Sequence, residues 1–217
     1  YVQSPTGVGK TIATLFPAVK ALGLGLAAKI FYLTAKTSGR LVAEQTLNDM
    51  RRSDLHLRSV TLTAKEKICF CPTANCDPDV CVFARGYFDR VKGALAEIDQ
   101  VQDFTRPVIE AIAQKHQICP FEFSLDLAVW VDCIICDYNY VFDPRVYLHR
   151  FFDFSTEPYI FLVDEAHNLP DRAREMYSAE LDKTTVLNLQ RILKPHLPAL
   201  AKKLTSINKF LLEKRKF

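Results

Sequence analysis

The chain has 217 residues, 49% hydrophobic and 24% charged, which is enough apolar material for a sizeable core in one or two domains. Its apolar runs fall well short of the roughly 20 residues of a membrane span, and no signal peptide is recognisable, so membrane-spanning and secreted classes are not expected. The net charge of +3 is unevenly spread: nine Lys/Arg against Glu213 alone between Lys183 and Phe217 give +8 there and leave −5 for residues 1–182.

In chain order, Tyr1–Gln3 reads as the end of a strand and Lys10–Leu22 as a helix. The β-rich run KIFYLT, 29–34, predicts a buried strand, and a helix follows from about Arg40 to Arg52. SVTLT, 59–63, predicts a short strand, after which comes a cysteine-rich stretch. Helical spacing covers 83–101 and 106–117, with Pro107 at a permissible first-turn position. The continuous apolar run VDCIICDY, 131–138, fits a central strand. YIFLVDEAH, 159–167, is the clearest strand signal and ends in acids. Strands alternating with helices predict a parallel α/β sheet. No strand pattern follows Val163, and Leu200, Leu204, Ile207 and Leu211 recur at helical spacing. A separate helical region is therefore expected from about Ser178. Its basic character fits a nucleic-acid path or, equally, one solvated helical face. The chain starts at Tyr1 without a methionine, just before a motif that normally follows a strand, and is expected to be a piece of something longer.

SPTGVGKT, 4–11, has the make-up of a phosphate-binding loop. Such a loop needs glycines so that successive backbone N–H groups wrap the β-phosphate, a lysine for the β/γ oxygens and a hydroxyl for Mg²⁺. Thr6, Gly7, Val8 and Gly9 would form the cradle, Lys10 the charge and Thr11 the hydroxyl. Ser4 stands where the strict pattern has glycine. The helix starting at Lys10 adds its positive N-terminal end. In IFLVDEAHN, 160–168, four apolar residues lead to Asp164 and Glu165 at the C-terminal edge of a sheet, where ligands bind in open α/β folds. Asp164 would hold the Mg²⁺ shell, and Glu165 would orient and deprotonate the attacking water.

Asp164-Glu165-Ala166-His167 after an apolar strand, with PTGVGKT upstream, resembles the superfamily 2 helicases. FYLTAKT, 31–37, lies where those enzymes carry a segment that touches the DNA backbone. By that resemblance Thr34, Lys36 and Thr37 would meet phosphates.

Seven cysteines remain: Cys69, Cys71, Cys76, Cys81, Cys119, Cys133 and Cys136. Disulfides are not expected, because an ATP-using lobe works in a reducing compartment. Cys69, Cys71, Cys76 and Cys81 crowd KEKICFCPTANCDPDVC, 65–81, a Pro/Asn/Asp-rich stretch with little core-forming pattern. Buried thiols do not account for four in such a stretch, which leaves a metal ion or a cluster. Cys133 and Cys136 form a C-x-x-C that suggests zinc. Residues i and i+3 of a strand point to opposite faces, however, so both are read as core. Cys119, in HQICPFEF, precedes a proline at the start of an expected helix, and that proline fixes the turn about the sulfur. Cys69, Cys76, Cys81 and Cys119 make the best set of four. Cys71 is an alternative to Cys69, since C-x-C gives both almost equal access.

This layout resembles the iron–sulfur helicases of the XPD/DinG family, in which a [4Fe–4S] domain is inserted between the two ATP motifs. KEKIC is similar to the family's first ligand context, CVFARGYFDR to its third, and ICPFEF to its last. CDYNYVFDP, 136–144, is similar to the Tyr-x-Tyr-x-x-Asp-Pro segment that follows. The resemblance implies a RecA-like P-loop NTPase lobe in two parts, 1–64 and 121–177, an iron–sulfur insertion at 65–120, and the start of a helical arch-like domain at 178–217. It implies an ATP-dependent DNA helicase of 5′→3′ polarity, serving repair or replication on single strands and forks. ATP, Mg²⁺ and a [4Fe–4S] cluster would be its cofactors. ATP would bind at Gly7–Thr11, Mg²⁺ between Thr11 and Asp164, with Glu165 as base and Lys10 on the phosphates. His167 would couple the nucleotide state to the grip on DNA, and the cluster would be mainly structural. Phe83, Tyr87 and Phe88 would either stack on bases or pack on the cluster and its helix. The expected setting is a bacterial-type cytoplasm in association with the nucleoid. No arginine-finger motif of a second motor lobe is present, QRILKP at 190–195 not qualifying, so residues 1–217 alone are expected not to unwind DNA. Two rival readings remain: a zinc-stapled nucleic-acid-binding module with a vestigial ATP site, and an ATP-driven remodeller that moves on DNA without unwinding it.

Overall fold

The computed structural model describes residues 2–3, 9–72, 75–153 and 155–214. Helix α1 (Lys10–Gly23) starts behind Gly9, whose φ of 79° is a left-handed conformation that favours glycine. Strand β1 (Lys29–Leu33) and helix α2 (Thr37–Arg51) follow. The helix begins earlier than the spacing predicts, because its first turn, Thr37-Ser38-Gly39, is polar and carries no periodic signal. Next come β2 (Ser59–Thr61), a short helix α3 (Lys65–Ile68) and the irregular cysteine stretch.

The helix expected over 83–101 is shorter. Gly86, at φ 63°, ends a run of turns, and only α4 (Tyr87–Ala96) and a 3₁₀ turn at Ile98–Gln100 are helical. A strand that the sequence does not announce, β3 (Asp103–Phe104), precedes α5 (Arg106–His116) and α6 (Pro120–Trp130). Strand β4 (Cys133–Cys136), two short helices α7 (Asn139–Phe142) and α8 (His149–Phe152), and β5 (Tyr159–Val163) complete the sheet region. A 3₁₀ turn at Ala166–Asn168 leads into α9 (Leu169–Met176). Of the strand end expected at Tyr1–Gln3, Tyr1 lies outside the described residues, and Val2 and Gln3 belong to no strand.

The five strands form one sheet in the order β3-β2-β4-β1-β5, and every neighbouring pair is parallel. Parallel sheets need helices on both faces, and central strands then read as unbroken apolar runs. In β4 all four residues are buried, so Cys133 and Cys136 are core thiols on opposite faces. Burial pushes the Cys133 thiol up to about 12 and raises Cys136 as well. Alternation along β1 divides the core in the same way. Ile30 and Tyr32 pack with Leu15 and Ala18 of α1 and Ala43 and Leu47 of α2. Phe31, on the other face, stacks on Phe161 at 5.3 Å and meets Phe151 edge-on at 5.6 Å.

The chain divides into two compact units, Tyr1–Ala173 and Arg174–Phe217. The second contains α10 (Lys183–Leu193) and α11 (Pro198–Lys214), which pack on each other. Asp182 caps α10 by accepting from the Thr185 N–H at 2.7 Å. Along α11, Ala201 is buried and Leu204 and Leu211 half-buried, while Leu200 and Ile207 stay exposed. The periodicity is that of the sequence, with the buried face centred a residue away from Leu200 and Ile207.

Candidate nucleotide site and cysteine pocket

Ser4 to Val8, and with them Thr6, Gly7 and Val8 of the expected cradle, lie outside the described residues. The end of the loop is described: Gly9 turns left-handed, and Lys10 opens α1 with Thr11 behind it. On β1 the Tyr32 phenol interacts with the Thr11 side chain and lies within electrostatic reach of Asp164. Burial first, then the Asp164 charge, pushes Tyr32 up to about 12 against the opposing Thr11 interaction. One buried tyrosine thus relates the start of α1 to the acid at the end of β5.

Asp164 continues the sheet by one residue, its N–H donating to the Leu33 carbonyl at 2.9 Å. Its Oδ2 accepts from the Thr34 hydroxyl at 3.2 Å. Glu165 then adopts φ 50°, an uncommon conformation for a residue without a side-chain backbone mimic. The turn is held from below. The fully buried Tyr138 donates its hydroxyl to the Asp164 carbonyl and reaches the Glu165 carbonyl at 3.3 Å. The Asn168 N–H and side-chain amide add donors to the same Glu165 oxygen at 2.9 and 3.1 Å. His167 Nδ1 stands 3.3 Å from Glu165 Oε2, with its ring largely exposed.

The segment expected to meet phosphates divides. Lys36 and Thr37 are exposed at the start of α2, but Thr34 is buried and bonded to Asp164. In this structure its hydroxyl faces the acid. Nearby, Asp137 after β4 bridges Arg40 of α2 at 3.8 Å and Arg172 of α9 at 3.2 Å, and Arg172 also donates to the Asn139 side chain at 2.9 Å.

Cys69, Cys71, Cys76, Cys81 and Cys119 all line one cavity of about 310 Å³, walled further by Phe70, Phe83, Tyr87 and Phe88. Local structure explains the gathering. Cys69 ends α3, Cys81 sits in the turns before α4, and Cys119 is the residue from which α6 starts. The Cys71 and Cys81 sulfurs lie 3.3 Å apart, and the Cys71 N–H points to the Cys69 sulfur at 3.4 Å. Burial opposes ionisation of Cys81, but Cys71, the Ala84 and Phe83 N–H groups and Lys65 outweigh it and lower its pKa. Burial raises Cys119 against the pull of the Glu122 and Phe121 N–H groups. The Lys65 ammonium is raised by its bond to the Cys76 sulfur. Among the described residues no three His, Cys, Asp or Glu side chains converge tightly enough to chelate a single metal ion. The thiols surround a space instead of meeting at a point.

The cavity wall is tied to the lobe by a contact that sequence reading does not find: Tyr87 donates to Asp126 at 2.8 Å, and Arg150 of α8 binds the same carboxylate at 3.1 Å. Tyr87 is therefore a buried wall residue, Phe83 packs 5.0 Å from Phe70, and Phe88, 80% exposed, is the one of the three open to solvent. Tyr32 and Tyr138 also escape a sequence reading. The signal for Tyr138 was its place as first tyrosine of Tyr-x-Tyr-x-x-Asp-Pro.

Fold and site define an α/β lobe of RecA type, with paired acids at the C-terminal edge of a parallel sheet. The DEAD_2 family model matches residues 34–186, and the chain belongs to the DEAD_2 family. A regulator of telomere elongation helicase 1 homologue from Anopheles gambiae is 26% identical over 174 residues, 73% of this chain and 17% of that protein. The Fanconi anemia group J protein homologue of Gallus gallus is 32% identical over 68 residues, 31% of this chain and 5% of that protein. The chain thus spans a small part of the length of the curated relatives it matches. Among solved structures, an XPD helicase superposes with a TM-score of 0.63 at 19% identity, over 97% of this chain and 36% of the other. A truncated XPD gives 0.59 at 19% identity, over 97% and 59%. These likenesses show that the fold is that of an XPD-type helicase lobe. The curated relatives named here are eukaryotic, which gives a bacterial, nucleoid-associated setting no support. No helix among the described residues is long and apolar enough to cross a membrane.

Proposed function

We propose that this chain is the first motor lobe of an ATP-dependent DNA helicase with 5′→3′ polarity, acting on single strands and forks. The observation that carries this reading is one sheet edge where Thr11, in the first turn of α1, and Asp164, just past β5, share the buried Tyr32 as neighbour. Lys10 would neutralise the phosphate oxygens, and Thr6 to Gly9 would offer backbone N–H groups to them. Bound between Thr11 and Asp164, Mg²⁺ would supply positive charge for the phosphoryl oxygens. Glu165, held in position through its carbonyl, would accept the proton of the attacking water, and His167 would report the state of that carboxylate to the DNA side.

Residues 65–120 would be an iron–sulfur insertion in a lobe formed by 1–64 and 121–177, with a helical arch-like domain from 178. Five thiols lining one cavity would suit a [4Fe–4S] cluster. Cys69, Cys76, Cys81 and Cys119 would be the ligands. Cys71, whose sulfur lies 3.3 Å from that of Cys81, is the alternative to Cys69. When bound, the cluster supplies four iron–thiolate bonds that order a loop-rich segment with little core of its own.

DNA-stimulated ATP hydrolysis by the full-length protein tests the ATP site. Glu165→Gln should lower kcat at least about a hundredfold while nucleotide binding persists. Hydrolysis by Glu165→Gln at the wild-type rate would overturn the assignment.

A further inference from the structure

Strands β1 and β5 are parallel neighbours whose last paired residues are Leu33 and Val163. One step further, Thr34 and Asp164 stand side by side, each still pinned by the sheet. The Thr34 N–H donates to the Cys136 carbonyl at 2.9 Å, and the Asp164 N–H to the Leu33 carbonyl at 2.9 Å. Their side chains meet between the strand ends, hydroxyl to Oδ2, at 3.2 Å. From the first turn of α2, Gly39 closes over the pair. A Cβ on Gly39 would lie 2.2 Å from Thr34 Oγ1 and 2.7 Å from Asp164 Oδ2, so a larger residue would force either the pair or the helix to shift. Thr34 is only 1% exposed, and water does not compete for its hydroxyl. A hydrogen bond to an ionised acceptor in such surroundings is roughly twice as strong as a neutral one. It fixes one oxygen of Asp164 and leaves the other for a metal shell.

We propose that Thr34 is a positioning residue for Asp164, orienting the carboxylate towards Mg²⁺, and that position 39 is glycine because α2 must seat on that pair. The proposal rests on the ATP-site reading above. It also gives the exposed Lys36 and Thr37 a short mechanical link to the nucleotide site. A phosphate that displaced the first turn of α2 would disturb the Thr34–Asp164 contact directly.

The test uses the full-length protein carrying Thr34→Val or Thr34→Ser. Affinity for a fluorescent ATP analogue is measured with Mg²⁺ and with EDTA, together with the Mg²⁺ concentration that half-saturates hydrolysis. Thr34→Val should weaken Mg²⁺-dependent binding at least about tenfold, leave metal-free binding unchanged and raise the half-saturating Mg²⁺ by a similar factor. Thr34→Ser should restore both. Should Thr34→Val not fold, Thr34→Ala compared with Thr34→Ser gives the same contrast. Wild-type metal dependence in the hydroxyl-free variant, or an equal loss with and without Mg²⁺, would overturn the proposal. Wild-type protein without Mg²⁺-dependent nucleotide binding would instead overturn the ATP-site reading on which it stands.

Discussion

Tyr138 shows how a single hydroxyl can hold the turn that carries the two proposed catalytic acids. It is fully buried, and its acceptors are the carbonyls of Asp164 and Glu165, the two residues proposed to hold Mg²⁺ and to activate water. Tyr138→Phe keeps the ring packed and leaves the Asp164 carbonyl without that donor. We expect a loss of about 1–2 kcal/mol in unfolding free energy, read from a urea midpoint, together with a lower kcat. Unchanged stability would show that the hydroxyl is dispensable. At this scale the sequence told residue type and not surroundings. The place of Asp164 and Glu165 at a strand end is legible because they follow an apolar run, whereas the burial of Thr34 against Asp164 is not. Its partner Asp164 lies 130 residues away, and a hydroxyl in a sequence does not show whether it is buried.

Elements bring the cysteines together. Cys119 faces the cavity because α6 starts there behind Pro120, and Cys69 and Cys81 arrive from the end of α3 and the turns before α4. Anaerobically prepared full-length protein should hold about four irons and four labile sulfides per chain. Cys69→Ser should abolish them and Cys71→Ser should not. One zinc without sulfide would contradict the cluster assignment. The apolar strands β1, β4 and β5 were legible because burial on both faces of a parallel sheet leaves long apolar runs. Strand β3 was not, since two residues, Asp103 and Phe104, cannot display a period. The helix over 83–101 looked continuous because Gly86 breaks it through its φ of 63°, which apolar spacing does not encode.

For the whole molecule, the change from strands to helices is visible in the sequence, and the concentration of basic residues from Lys183 onward is a property of composition alone. Which side of α11 is buried was less legible, because Leu200 and Leu204 fit neighbouring faces equally well until α10 is packed beside them. The proposed ATP site would drive strand separation. The most direct measurement is strand separation by the full-length protein on duplexes carrying either a 5′ or a 3′ single-stranded tail. ATP-dependent unwinding of the 5′-tailed duplex, absent on the 3′-tailed one and lost in Glu165→Gln, is the result predicted. ATP hydrolysis without strand separation on either substrate, or unwinding from the 3′ tail alone, would contradict it.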